Sequence, residues 1–230
     1  MLTQANHVVT VSPGCAADMD KHGNKKTVVI NNGFDPEDFT DLPDDLDPDF
    51  TISHFGTFNK DRNPTSLWVA LNQLGEKLPN FKKKLKIQLI GQTDTSVIND
   101  IKANGLENNI IACEHLPHKE GLQKLAKSQV LLLPVNDAPN VKGILTGKMY
   151  EYIALKRPIL AIGPTDADFA KIIAETKSGT AHNFNDIDGI MYTLEKYFNL
   201  YRQNKLQINS DSYEKYSRKN LAKKFIELAC

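Results

Sequence analysis

Only three cysteines, Cys15, Cys113 and Cys230, stand in the 230 residues, odd in number and far apart. That spacing gives neither a disulfide framework nor a metal-ligand cluster and suits a reducing compartment. An excess of charge of either sign is also missing, since 28 Lys plus Arg balance 28 Asp plus Glu. No overall field therefore draws nucleic acid or an acidic membrane, and any anion site must be local. Long apolar runs are missing too: the longest are about five to six residues, against the roughly 20 that span a bilayer. The opening MLTQANHVVTVS lacks the basic-then-apolar order of a signal peptide. These absences lead to a cytoplasmic reading. Two phosphate-binding signatures are absent as well, GxxxxGK followed by Ser or Thr, and GxGxxG. ATP hydrolysis and NAD binding are thereby disfavoured.

What is present is an alternation of strands and helices. Apolar, β-branched runs stand at HVVTVS (7–12), TVVIN (27–31), FTISHFG (50–56), LKIQLIG (85–91), NIIAC (109–113), VLLLPV (130–135) and RPILAIG (157–163). Each is short enough for a buried strand. Between most of them lie helical patterns, such as NPTSLWVALNQLGEKL, which opens on an Asn cap and puts Leu67, Ala70, Leu71 and Leu74 on one face. Repeated βαβ units predict an α/β fold, a doubly wound parallel sheet with right-handed crossovers. Its ligand edge is where the strands end, at Gly56, Gly91, Pro134 and Gly163. The acidic segment 35–50 reads as a linker, Asn32-Gly33 as a tight turn, and the charged run at 82–86 as a solvated edge. From about residue 185 two helices follow with no strand between them, a helical C-terminal tail.

Two loops carry cations where a helix begins. In ILTGKMYEYIALK, Thr146 or Gly147 starts a helix and Lys148 sits in its first turn. A cation there costs about 0.3 to 1 kcal/mol unless an anion is present. An i,i+3 ion pair with Glu151 is the alternative that requires no ligand, at about 0.2 to 0.5 kcal/mol. In HFGTFNKDRNPTSL, Gly56 ends a strand and Lys60 and Arg62 precede the next helix. Two such loops on one sheet edge suit one polyanionic ligand, such as the diphosphate of a nucleotide. His115 and His118 have no third ligand nearby, so no metal is expected.

The segment VVINNGFDPEDF, an apolar strand, then NGFD, then Phe39, resembles the interdomain hinge of the retaining GT-B glycosyltransferases. In the same order, HVVTVS resembles the last strand of their acceptor-side domain and FGTFNKDRNP the glycine loop that opens the donor-side domain. VLLLP followed by TGKMYEYIALKRPILAIG resembles the nucleotide-sugar segment. The resemblance covers about residues 5 to 183. It implies that 1–24 is the end of an acceptor-side domain missing from this chain, with its helix. Residues 25–184 would be the Rossmann-like donor domain, and 185–230 helices that pack back toward the other domain.

The resemblance also implies roles. Glu151 matches the second Glu of the family's E-x7-E pattern, which accepts from ribose hydroxyls; the first falls at Gly143, where Lys142 or the amides from Gly143 to Thr146 would substitute. Lys148 and Arg62 would be the catalytic cations on the diphosphate, with Gly56, Thr57, Lys60 and Gly147 lining it. His115, Leu116 and Pro117 would meet the base. No metal or other cofactor is implied, only a nucleoside-diphosphate sugar as donor. The implied reaction is transfer to a polysaccharide or glycolipid acceptor, as in bacterial polysaccharide synthesis. Membrane contact would be peripheral, at the inner face, through the missing domain, and the chain alone would transfer slowly or not at all. A nucleotide-sugar epimerase of the same fold and a noncatalytic α/β binding module are the alternatives.

Overall fold

A computed structural model describes residues 5–21, 27–208 and 210–229. Six parallel strands form the main sheet: β3 (Phe50–Phe55), β4 (Leu85–Ile90), β5 (Ile110–Cys113), β6 (Val130–Pro134), β7 (Ile159–Ile162) and β8 (Gly179–His182). They lie in the order β5-β4-β3-β6-β7-β8. The order reverses between β3 and β6, and β3 hydrogen-bonds both ways, to β4 over its full length and to β6 through Ile52 and Ser53. A smaller parallel sheet pairs β1 (Val8–Thr10) with β2 (Thr27–Val29), so the segment before residue 25 and the one after it are joined strand to strand.

Period-2 alternation divides the apolar side chains between two cores. Ile52, Val130, Leu132, Leu160 and Ile162 face one side, under α2 (Thr65–Lys77), α3 (Phe81–Lys84), α4 (Thr95–Ala103) and α8 (Ile187–Arg202). Phe55, Leu131, Leu133, Ile159 and Ala161 face the other, under α5 (His118–Ala126), α6 (Gly147–Ala154) and α7 (Asp168–Glu175).

Several expectations from the sequence change here. GTAH at 179–182 forms a strand that its composition does not announce; Gly179 is needed because a Cβ there would lie 2.0 Å from the Ile159 carbonyl oxygen. β5 is an edge strand, with Ile111 and Ala112 exposed rather than buried. The helix α8 lays Ile190, Leu194 and Phe198 in the main core against α2. The acidic stretch 35–50 is tied down: Phe39 and Leu42 pack on the second core, and Asp47 bonds the backbone of Lys127 and the side chain of Gln129. Asn63 does not cap α2, because its side chain takes the indole N–H of Trp68 at 2.7 Å and donates to Asp100.

Asn32-Gly33 is not a tight turn either. Extended chain at Phe34 bridges Ser217 in parallel, with Phe34 N–H to Tyr216 O at 3.1 Å and Arg218 N–H to Phe34 O at 2.8 Å. Glycine is required there for close approach, and the bridge fixes the start of α9 (Arg218–Ala229).

Candidate functional site

The site lies at the reversal of strand order, where the chain leaves β3 through Gly56 and enters α6 after β6. Crevices outside the carboxyl ends of parallel strands are where such sheets hold ligands. Gly56 takes φ +98°, and its neighbour Gly91, after β4, takes +110°. A Cβ on Gly91 would stand 3.1 Å from the Gly56 carbonyl oxygen, so both glycines are needed for the two loops to lie side by side.

Lys148 crosses this gap. The point where a Cβ of Gly56 would sit is 3.3 Å from its Nζ. Nζ is also 3.2 Å from Nε2 of His54, a residue of β3 buried in the sheet. The ion pair with Glu151 is not formed: Glu151 Oε1 instead meets Nε2 of His118, at the start of α5, at 3.0 Å. The half-buried ammonium is therefore held by a neutral ring and not by a carboxylate. Burial, then the nearby Arg62 charge, push its pKa down to about 8, against the pull of Glu151. For His54, burial first and Lys148 second hold the ring down to about 3, against the Leu132 and Thr57 carbonyls. An ammonium so placed retains its charge near neutrality at a cost that an anion would remove.

Arg62 stands in a short 3-10 turn, Lys60–Arg62, and its Nε donates to Asn136 Oδ1 in the loop after β6. The Asp137 N–H to Asp61 carbonyl bond, 3.1 Å, ties the same two loops. Lys60, Arg62, Asn63, Thr65, Asp137 and Asn185 line a polar hollow of about 300 Å³ beside the reversal point. Thr57 and Lys60 are exposed, and Lys60 acts electrostatically on Asp94 across the loop after β4. Thus Gly56, Arg62 and Lys148 come together, while Lys60 lies to one side.

Gly147 begins α6 as expected, with Thr146 before it and Asn32 of the NGFD segment 3.6 Å from where its Cβ would be. His115 is exposed and Leu116 half-buried in the turn after β5, on the His118 and Glu151 side of the site. Lys142 pairs with Asp166 at the surface. Gly143 is covered by the first turn of α1 (Pro13–Lys21): its carbonyl accepts from Ser12 Oγ at 2.7 Å, and a Cβ there would be 3.2 Å from Cys15 N. A Glu at this position would require the first turn of α1 to give by a few tenths of an ångström. Among the described residues no group of three or more His, Cys, Asp or Glu is arranged for a metal ion, and no helix is long and apolar enough to cross a membrane.

Sequence reasoning missed His54 and Asn136, and weighed His118 only beside His115 as a metal ligand and not as the partner of Glu151. His54 is hidden inside an apolar strand pattern, and its contact with Lys148 spans 94 positions. The signal that could have found it is its place two residues before the loop glycine, a titratable group among core residues.

No protein-family model matches the chain, and no curated protein matches it by sequence. Solved structures do. A glycosyltransferase from Rickettsia africae superposes with a TM-score of 0.73 at 14% identity, over 96% of this chain and 62% of that one. Sucrose-phosphate synthase from Thermosynechococcus elongatus gives 0.72 at 14% identity, over 99% and 58%. A TarM variant from S. aureus, in complex with fondaparinux, α-GlcNAc-glycerol and UDP, gives 0.65 at 18%, over 99% and 44%. The chain has the fold of the C-terminal domain of GT-B glycosyltransferases and spans 44 to 62% of the length of these three.

Proposed function

We propose that the chain is the donor-binding part of a glycosyltransferase that takes a sugar from a nucleoside-diphosphate sugar. The observation that carries this is Lys148, a half-buried ammonium held by a neutral His beside Gly56 and Arg62 at the reversal of strand order. In this reading the diphosphate lies against Lys148, Arg62 and the first amides of α6. There it finds full charges and the positive end of a helix. Glu151, oriented by His118, accepts the vicinal ribose hydroxyls, and His115 and Leu116 meet the base. Glycosyl transfer leaves negative charge on the departing diphosphate oxygen. Lys148, Arg62 and the Gly147 amide stabilise that charge without a metal. The acceptor, a polysaccharide or glycolipid, would be bound mainly by a further domain, through which membrane contact would be made. A noncatalytic nucleotide-binding role is the second reading, favoured by one observation: Gly143 and α1 occupy the ground of a sugar-contacting Glu.

Calorimetric titration of the 230-residue chain with UDP, GDP and dTDP tests the proposal. One of them is expected to bind, and Lys148→Ala and Glu151→Ala are each expected to weaken it roughly 10- to 100-fold, the range for hydrogen bonds to charged groups. Binding that neither substitution changes would refute the assignment.

The same titration has a pH signature. A bound diphosphate raises the pKa of Lys148 from about 8, so binding takes up a proton on the alkaline side. Affinity is expected to hold up to about pH 8 and then fall, by at most about tenfold per unit for one proton. The terminal phosphate, with a second pKa of about 6, is already ionised there. Lys148→Ala should flatten the decline; a decline that persists in that variant belongs to another group.

A further inference from the structure

We propose that His54 is a positioning residue for the diphosphate: its neutral imidazole holds the Lys148 ammonium over Gly56 by accepting a hydrogen bond without neutralising the charge. The inference rests on the donor-site reading and deepens it. His54 is 1% exposed, in the middle of the sheet, its ring 4.4 Å from that of Phe58. Nδ1 lies 3.2 Å from the Leu132 carbonyl oxygen, which can only accept, so Nδ1 carries the hydrogen. Nε2 is then a bare lone pair, and the group 3.2 Å from it, the Lys148 ammonium, can only donate. The backbone of β6 thus fixes the tautomer, and the tautomer fixes the lysine. Burial and the adjacent cation keep the ring from taking a second proton.

The choice of residue matters. A carboxylate at 54 would cancel the charge meant for the ligand. An aliphatic residue would leave the buried ammonium without an acceptor. The charged and titratable groups facing Lys148 are His54 from β3, Arg62 from the Gly56 loop and Glu151 from its own helix, with His118 of α5 on Glu151. Of these, only His54 both touches Nζ and is shut from solvent.

The test compares His54→Leu, which removes the acceptor, with His54→Gln, whose amide oxygen stands near the place of Nε2. Two readouts are taken on the 230-residue chain. The first is affinity for UDP, GDP and dTDP beside uridine, guanosine and thymidine. The second is the Lys148 titration in the ligand-free protein, followed by NMR at its ε-carbon. His54→Leu is expected to weaken the diphosphate roughly tenfold and leave the nucleoside unchanged, the loss of one charged hydrogen bond. It should also move the Lys148 midpoint to lower pH, and His54→Gln should restore both. Where His54→Leu does not fold, His54→Asn keeps a group toward Leu132 but falls short of Lys148, and is expected to behave in the same way. Unchanged diphosphate affinity and an unmoved midpoint, in a chain where Lys148→Ala does weaken binding, overturn the role of His54 alone. A wild-type chain that binds none of the three nucleotides overturns the donor-site reading, and the positioning role with it.

Discussion

Gly33→Ala is expected to unlatch the C-terminal helix. A Cβ at this position would lie 2.1 Å from the Tyr216 carbonyl oxygen and 2.6 Å from Leu221 Cδ1. The first contact is with backbone and cannot be relieved by a rotamer. The Phe34–Ser217 bridge must then open, giving up the two hydrogen bonds that flank it. Overpacking of this kind costs about 1 to 3 kcal/mol, and each backbone bond about 1 more. The expected result is a stability loss of roughly 3 to 5 kcal/mol, with the amides of 213–229 losing protection in hydrogen exchange before those of the sheet. Gly75→Ala serves as a control, since a Cβ there comes 3.2 Å from Lys82 Cβ, a contact relieved by a shift of a few tenths of an ångström and not a backbone clash at 2.1 Å. Equal protection of 213–229 in wild type and Gly33→Ala would show that the latch does not hold the helix.

Trp68→Ala is expected to cost about 3 to 5 kcal/mol, the range for emptying the space of a large aromatic in a core. Trp68 is fully buried between α2 and the sheet and packs on Phe58. Its indole also donates to Asn63, which in turn holds Asp100 on α4, so the turn carrying Lys60 and Arg62 is anchored through it. Trp68→Phe separates the two contributions: it keeps most of the packing and loses one hydrogen bond, about 1 kcal/mol. Because the chain has a single Trp, the denaturation must be followed by circular dichroism and not by fluorescence. If Trp68→Phe destabilises as much as Trp68→Ala, the bond to Asn63 and not the packing carries the effect.

Most of the main sheet was legible because its strands are buried on both faces, and burial writes itself as apolar runs such as VLLLP and RPILAIG. β8 was not, since GTAH is a strand through its ladder to β7 and through the absence of a Cβ at Gly179. Gly33 was legible as special, but for a turn and not for the carbonyl it admits. The loops at Gly56 and Lys148 could be placed because a cation at a helix start is locally unfavourable, and so stands out. What Lys148 touches could not be placed. A pair formed across β3 and α6 leaves no periodic trace in either segment, and the i,i+3 spacing to Glu151 suggested a partner that His118 takes instead.

The parallel bridge at Phe34 and Ser217 has a mechanical meaning. Tension applied to the two ends of the chain enters from before Phe34 and leaves after Ser217. Segments that run parallel and are pulled this way are loaded in shear, so both flanking hydrogen bonds resist together. The β1–β2 ladder, also parallel, stands upstream in the same line of force. The six-stranded sheet hangs inside the loop closed by the bridge and bears no load until that clamp fails.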